Sequence, residues 1–318
     1  MVNPQIQPDC SIVIRAYNEE NHIGRLLSGI LEQTIANVQI ILVDSGSRDA
    51  TIAIASRFPV EIVHIQPHEF TFGRSLNMGI QKARADLVVL ASAHVYPVYP
   101  DWLERLLEPF QDQQVGLVYG KQRGAVDSKF SENQIFKRWY PDQSYARQNH
   151  PFCNNANAAI CRSFWEQHPY DEALSGLEDL AWARWLQEQG AGIAYSAEAE
   201  VIHVHHETWA GIYNRYRREA MAFKQIYPQE TFHYRDFWRL WVSNVWSDWK
   251  AASREGVFAK EWLNIIRFRR NQFFGTYQGY RKSGPLTWQL KQTFYYPGEI
   301  RPEGQTSQRD VQRIQYHE

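Results

Sequence analysis

Cysteine is scarce: Cys10, Cys153 and Cys161 are the only three in the chain, and none forms a C-x-x-C pair. An odd set without that spacing excludes a disulfide framework and predicts free thiols in a reducing compartment. Long uncharged apolar segments are missing, so no membrane span is expected. The opening Met1-Val2-Asn3-Pro4-Gln5 lacks the basic and apolar regions of a signal peptide. Together these absences predict a cytoplasmic protein, at most peripheral at the inner face of the membrane. Net charge is nearly absent too, with 34 Lys+Arg against 35 Asp+Glu, so no global field argues for nucleic acid. Neither a G-x-G-x-x-G turn nor a Walker lysine loop follows the first apolar run. Repeats and low-complexity segments are lacking as well.

What is present is an alternation of strands and helices. Apolar runs at 11–17, 38–43, 60–65, 87–92 and 115–120 read as strands. Helices are expected from Glu19-Glu20 with Asn18 as cap, from the Ser45-Gly46-Ser47 turn to 58, at 74–83 and at 101–110. Such alternation predicts an α/β fold with a doubly wound, mostly parallel sheet. The stretch 121–207 is less regular and rich in Asn, Trp and His. Residues 209–282 then carry 14 Lys+Arg against 6 Asp+Glu, an excess of 14 − 6 = 8, and six of the 12 tryptophans. There Trp238, Trp241, Val242, Val245, Trp246 and Trp249 fall close to one helical face. That face either packs on the main domain or rests on anionic lipid or a lipid-linked substrate. The tail after Pro302 is polar and expected to be loose.

Three strand ends hold the chemistry, because open α/β sheets bind ligands past the carboxyl ends of their strands. Asp44, closing the second strand, is placed to accept hydrogen bonds from a ribose or a base edge. Tyr17, after the first, can lie against a base. The run Leu87-Val88-Val89-Leu90-Ala91-Ser92-Ala93-His94 ends in an imidazole able to hold a metal or move a proton. Without a glycine-rich loop, a diphosphate here must be neutralised by side chains or a metal.

These blocks resemble the family 2 glycosyltransferases of the GT-A fold. The matching motifs are S-I-V-I-R-A-Y-N-E-E at 11–20, V-D-S-G-S-R-D at 43–49, G-R-S-L-N-M-G-I at 73–80, L-A-S-A-H at 90–94 and G-L-E-D-L-A-W-A-R at 176–184. The resemblance implies a nucleotide-sugar transferase domain over 10–207, followed by a helical extension over 208–300 and a tail over 301–318. It implies that Tyr17, Glu19 and Asp44, with Ala16 beside them, hold the nucleoside, and that Arg74 or Arg84 reaches the diphosphate. Ser92-Ala93-His94 stands where the family has its metal-binding D-x-D. Some members of the superfamily use D-x-H with a downstream V-x-H, which points to His94 and His203, with His205 a third candidate, as ligands of Mn²⁺ or Mg²⁺. In the bland reading these histidines line the site and hydrogen-bond phosphate.

The E-D pair implies Asp179 as general base, with Glu178 orienting the site, in an inverting transfer to a hydroxyl acceptor. That acceptor is a glycan, a lipid-linked glycan or a small molecule, in cell-surface polysaccharide synthesis. Asn155 and Asn157 either hydrogen-bond sugar hydroxyls or support their turn, and Trp182 and Trp185 are expected in the core. Two rivals remain. One is a phosphohydrolase centred on His203-Val204-His205-His206; the other is a transferase-like domain that binds glycans without turnover.

Overall fold

The first half of the chain lays down strands whose residues are almost all apolar, as a sheet covered on both faces requires. A computed structural model describes residues 7–66, 69–281 and 311–316. Strand β1 (Cys10–Ala16), helix α1 (Ile23–Leu31), β2 (Val38–Asp44), α2 (Thr51–Ala55), β3 (Val60–His64), α3 (Phe72–Ile80) and β4 (Leu87–Ser92) follow in order. Next come β5 (Val95–Pro97), α4 (Trp102–Leu107), β6 (Val115–Gly124), α5 (Phe130–Trp139), β7 (Asn157–Cys161), α6 (Arg162–Gln167), α7 (Glu178–Glu188) and β8 (Gly192–His203). The sheet runs β3-β2-β1-β4-β7-β6-β8-β5. Strands β1 to β4 pair in parallel and β6 pairs in parallel with β8, while β7 and β5 run antiparallel to their neighbours.

Alternate residues of each strand feed opposite faces. Val13, Ile41 and Leu90 pack with Leu76, Ile80 and Trp182 on one side. Ile12, Ile14, Leu42 and Val89 pack with Leu26, Ile30 and Trp102 on the other. The α/β expectation therefore holds, and the antiparallel β7 and β5 are what the alternation pattern did not announce.

Two local expectations are corrected. Asn18 does not cap α1, which starts five residues further on, at Ile23 behind His22. Asn18 instead sits at φ 54°, and its Oδ1 accepts from the Arg48 amide at 2.9 Å while its own amide donates to Ser47 Oγ. Its side chain ties the loops after β1 and β2 together, which leaves nothing for the helix. The tail is not loose where it is described: Ile314 N donates to Val98 O at 3.1 Å, and the Tyr316 hydroxyl donates to the Pro97 carbonyl. The remainder of the predicted tail, and residues 282–300 of the extension, lie outside the described residues.

The extension is helical: α8 (Trp209–Ile226), α9 (Tyr234–Arg254) and α10 (Phe258–Tyr280). None of the described helices is long and apolar enough to cross a membrane. Arg269 locks α9 to α10 through two contacts to Asp248, at 2.7 and 2.9 Å, with both side chains buried. The tryptophan face divides. Val245 is buried, and Trp241 and Trp249 donate to the Ile266 and Trp262 carbonyls of α10. Trp238, Val242 and Trp246 remain 45%, 57% and 58% exposed.

Candidate active site

A cleft opens where β1 and β4 end and α7 begins, bordered by α8. Strand pairing assembles its metal-capable corner. Short β5 pairs antiparallel with β8, setting Val95 opposite His203, and Val204 N donates to the His94 carbonyl at 3.0 Å. The His94 and His203 rings consequently stack with centroids 5.1 Å apart. His205, two residues on, turns to the same side, its Nε2 lying 2.8 Å from His203 Nε2. One ring nitrogen from each of His94, His203 and His205 lies within 4.8 Å of the others. His206 points elsewhere, to Asp127 at 2.6 Å.

The opposite ring nitrogens are all engaged. His94 Nδ1 meets Glu19 Oε1 at 2.7 Å, His203 Nδ1 meets Gln122 Oε1 at 2.7 Å, and His205 Nδ1 meets Glu132 Oε1 at 2.8 Å. Carboxylate and amide oxygens accept, so each of these contacts places a proton on Nδ1 and leaves Nε2 as the nitrogen turned away from that partner. Burial first, then neighbouring charge, pushes His203 and His205 well below the usual imidazole range. They are neutral near pH 7. Two neutral Nε2 atoms 2.8 Å apart have no proton to share. A cation relieves that conflict, so the donor set fits a divalent metal.

Glu178 and Asp179 open α7 behind Leu177, which adopts a left-handed φ of 56°. A branched non-glycine residue in that region is strained, and such strain collects at functional sites. The turn directs the two carboxylates apart. Glu178 Oε1 accepts from Arg15 Nη1 at 3.1 Å. Asp179 accepts from the Leu180 amide at 2.8 Å and the Asn155 amide at 3.4 Å, leaving it at the cleft wall. Burial, reinforced by the Glu178 charge, raises the Asp179 carboxyl above its ordinary value. Its pKa therefore moves toward that of a base working near neutral pH. Asp179 also borders a second cavity of about 120 Å³ that runs inward past Trp139, Tyr140, Phe152 and Tyr216.

The other expected residues divide. Ser92 ends β4 in the cleft, and Asn155 lines it with Nδ2 unpartnered. Tyr17 stands exposed after β1. Ala16 is buried, its carbonyl accepting from Ser45 N, and the Asp44 carboxylate accepts from the Gly46 and Ser47 amides of its own turn. Asn157 is corrected: it is fully buried, accepting from Trp102 Nε1 and donating to the Lys121 and Ala199 carbonyls, so no hydrogen-bonding group is left for a sugar. Arg84 is corrected as well. Its amide donates to Ser11 Oγ and Gln39 Oε1 at the amino end of β1, opposite the cleft. Arg74 pairs with Glu69 and Glu172, both at 3.3 Å, outside the cleft wall. Trp182 is buried as expected, and Trp185 packs against the core partly covered.

The cations that do border the cleft are Arg15, Arg215 and Arg218. Arg15 and Arg218 face the Phe72 ring at 5.1 and 4.7 Å. The arginine inside the otherwise apolar run Ser11-Ile12-Val13-Ile14-Arg15 was a legible signal. Arg218 and Arg215, far along the chain in a basic helix, gave none.

A cleft past parallel strand ends, walled by a buried carboxylate and a histidine cluster, is the architecture of the GT-A glycosyltransferase fold. Residues 11–168 match the description "Glycosyl transferase family 2". The chain belongs to the family 2 glycosyltransferases. It is 27% identical over 219 residues to the O-antigen chain rhamnosyltransferase RfbN of Salmonella typhimurium, covering 65% of this chain and 69% of that one. With WbaN of Salmonella anatum, an O-antigen chain rhamnosyltransferase, it shares 28% over 221 residues, 66% and 70% of the two chains. Among solved structures, the mannosyltransferase PcManGT of Pyrobaculum calidifontis, in complex with GDP-Man and Mn²⁺, superposes with a TM-score of 0.59 at 17% identity, covering 86% and 87% of the chains. That likeness establishes the fold.

Proposed function

We propose that this glycosyltransferase inverts the anomeric centre as it moves a hexose or deoxyhexose from a nucleoside diphosphate to a hydroxyl of a lipid-linked surface glycan. The observation that carries the reading is the Asp179 carboxylate, with its raised pKa, at the junction of the cleft and the inner cavity. The acceptor hydroxyl gives its proton to Asp179 as its oxygen bonds to the anomeric carbon. The sugar–diphosphate bond breaks on the opposite face, and the configuration inverts. Glu178, held by Arg15, keeps the turn oriented. Arg218 reaches the departing diphosphate, and the Asn155 amide group, unpartnered at Nδ2, reaches a sugar hydroxyl. His94, His203 and His205 hold a divalent metal, which when bound supplies positive charge to the leaving group. Rhamnose is the sugar that the names of both Salmonella relatives favour.

The lipid-linked acceptor is supported by the exposed face of α9. Tyr234, Trp238, Val242 and Trp246 recur every fourth residue and are all exposed, next to Phe258 and Trp262 at the start of α10. On these two helices Arg235, Arg239, Lys250, Arg254, Lys260, Arg267 and Arg270 are exposed, whereas the acids Asp236 and Asp248 are buried and Glu261 half-buried. Aromatic side chains framed by cations suit an anionic bilayer surface.

Replacing Asp179 by Asn tests the reading. Removal of a general base costs about 10²–10⁴-fold in kcat, measured with donor saturating, while donor binding persists. Full transfer by the Asn variant overturns the assignment. Release of nucleoside monophosphate, rather than diphosphate, indicates a phosphohydrolase instead.

A further inference from the structure

The metal corner has a second layer. Glu19 comes from the turn after β1, Gln122 from β6 and Glu132 from α5, yet each places one oxygen on the Nδ1 of a different histidine. Separate structural devices hold the inner two. The pairing of β6 with β8 slips between Gly120 and Gln122, from Gly120 opposite Ser196 to Gln122 opposite Val201. Such an irregularity re-aims a side chain, and here it brings Gln122 to His203. Glu132, buried on α5, is held by Arg215, whose Nη2 lies 2.6 Å from the same Oε1 and 2.6 Å from Glu207. Arg215 thereby sets a positive charge against the two carboxylates that, with His205, form the other metal-capable group among the described residues. The histidine trio has no guanidinium set against it among the described residues.

Resting on the metal reading above, we infer that Glu19, Gln122 and Glu132 are positioning residues that commit His94, His203 and His205 to the tautomer presenting Nε2. The site they build selects a borderline transition-metal ion over Mg²⁺. Three imidazole nitrogens suit ions such as Co²⁺ and Zn²⁺, whereas Mg²⁺ takes oxygen ligands and gives up its water reluctantly. An acceptor behind each imidazole fixes the ring and raises its basicity, and losing one costs about 10–100-fold in affinity.

The test uses the full chain, stripped by chelator and titrated with CoCl₂ while visible absorption reports imidazole coordination. One Co²⁺ per chain is expected, displaced by Zn²⁺ but not by a large excess of Mg²⁺. Glu19→Ala and Gln122→Leu should each loosen Co²⁺ about tenfold to a hundredfold. Glu19→Gln and Gln122→Glu, which retain an accepting oxygen, should stay within a few-fold of the wild type. Glu19 lies on a partly exposed turn, so its variants keep the comparison valid if a Gln122 variant misfolds. Displacement of Co²⁺ by comparable Mg²⁺, wild-type affinity in Glu19→Ala, or absence of Co²⁺ binding overturns the inference. A chain that binds no Co²⁺ yet transfers sugar through Asp179 overturns it while leaving the transferase reading intact.

Discussion

Asp179 and Glu178 are adjacent, yet a strained turn sends their carboxylates to different partners. Leu177 at φ 56° starts α7 so that Glu178 meets Arg15 while Asp179 stays at the cleft wall. The raised Asp179 pKa sets a sign for the pH profile. A base must be ionised, so kcat should fall as pH drops through a transition lying above the ordinary carboxylate value of about 4. Removing the Glu178 charge with Gln relieves one of the two causes of the rise and should move the acidic limb to lower pH. A pH–kcat profile that stays flat down to pH 5 contradicts this. Arg218 offers a separate check. Its substitution by Ala should raise the donor KM about tenfold with a smaller change in kcat, the pattern of lost ground-state binding. An unchanged donor KM removes Arg218 from the diphosphate.

Elements explain which parts were legible. The strands β1 to β4 and the residues at their ends follow from apolar runs that stop abruptly at Tyr17, Asp44 and His94. The E-D pair was legible through its surrounding motif. Gln122 and Glu132 were not, since their role arises only when β6 and α5 fold against β8, some 70 to 80 residues further on. Asn157 misled for the converse reason: an asparagine near the site looked like a sugar ligand, but the strand turned its amide into the sheet. Close packing of elements also yields a stability prediction. A Cβ on Gly79 of α3 would run into the side chains of Val13 and Val43. Gly79→Ala gains about 1 kcal/mol of helix propensity, against about 1–3 kcal/mol for overpacking against stiff β-branched neighbours. The second effect should win, lowering the urea midpoint; a midpoint at or above wild type shows that α3 shifts freely on the sheet. For α9, replacing Trp238, Val242 and Trp246 together by Ser should abolish sedimentation with phosphatidylglycerol vesicles without lowering the melting temperature. Equal binding by wild type and variant, or equal binding to neutral vesicles, places the acceptor's lipid elsewhere.

At the scale of the molecule, the cleft and the histidine corner are joined by the sheet itself. In the proposed reading the nucleoside would rest past the ends of β1 and β2, the imidazoles lie on the β4–β5 turn and the end of β8, and the proposed base opens α7. A ligand that spans them stabilises the whole fold through mass action, by about 2.7 kcal/mol at a hundredfold excess over Kd. For a chain of this size that is a rise of a few degrees in melting temperature. Because the diphosphate and the imidazoles would share one cation, the two ligands should be coupled. UDP, GDP or dTDP should raise the melting temperature further with Mn²⁺ than the separate increments predict. The nucleoside giving the largest coupled rise identifies the donor base. Chelation, or His94→Ala, should reduce each nucleotide's effect to its metal-free increment while leaving the unliganded midpoint nearly unchanged, since the His94 side chain is partly exposed. Strictly additive shifts in the wild type, or coupling that survives in His94→Ala, separate the histidine corner from the diphosphate and return those imidazoles to a structural role.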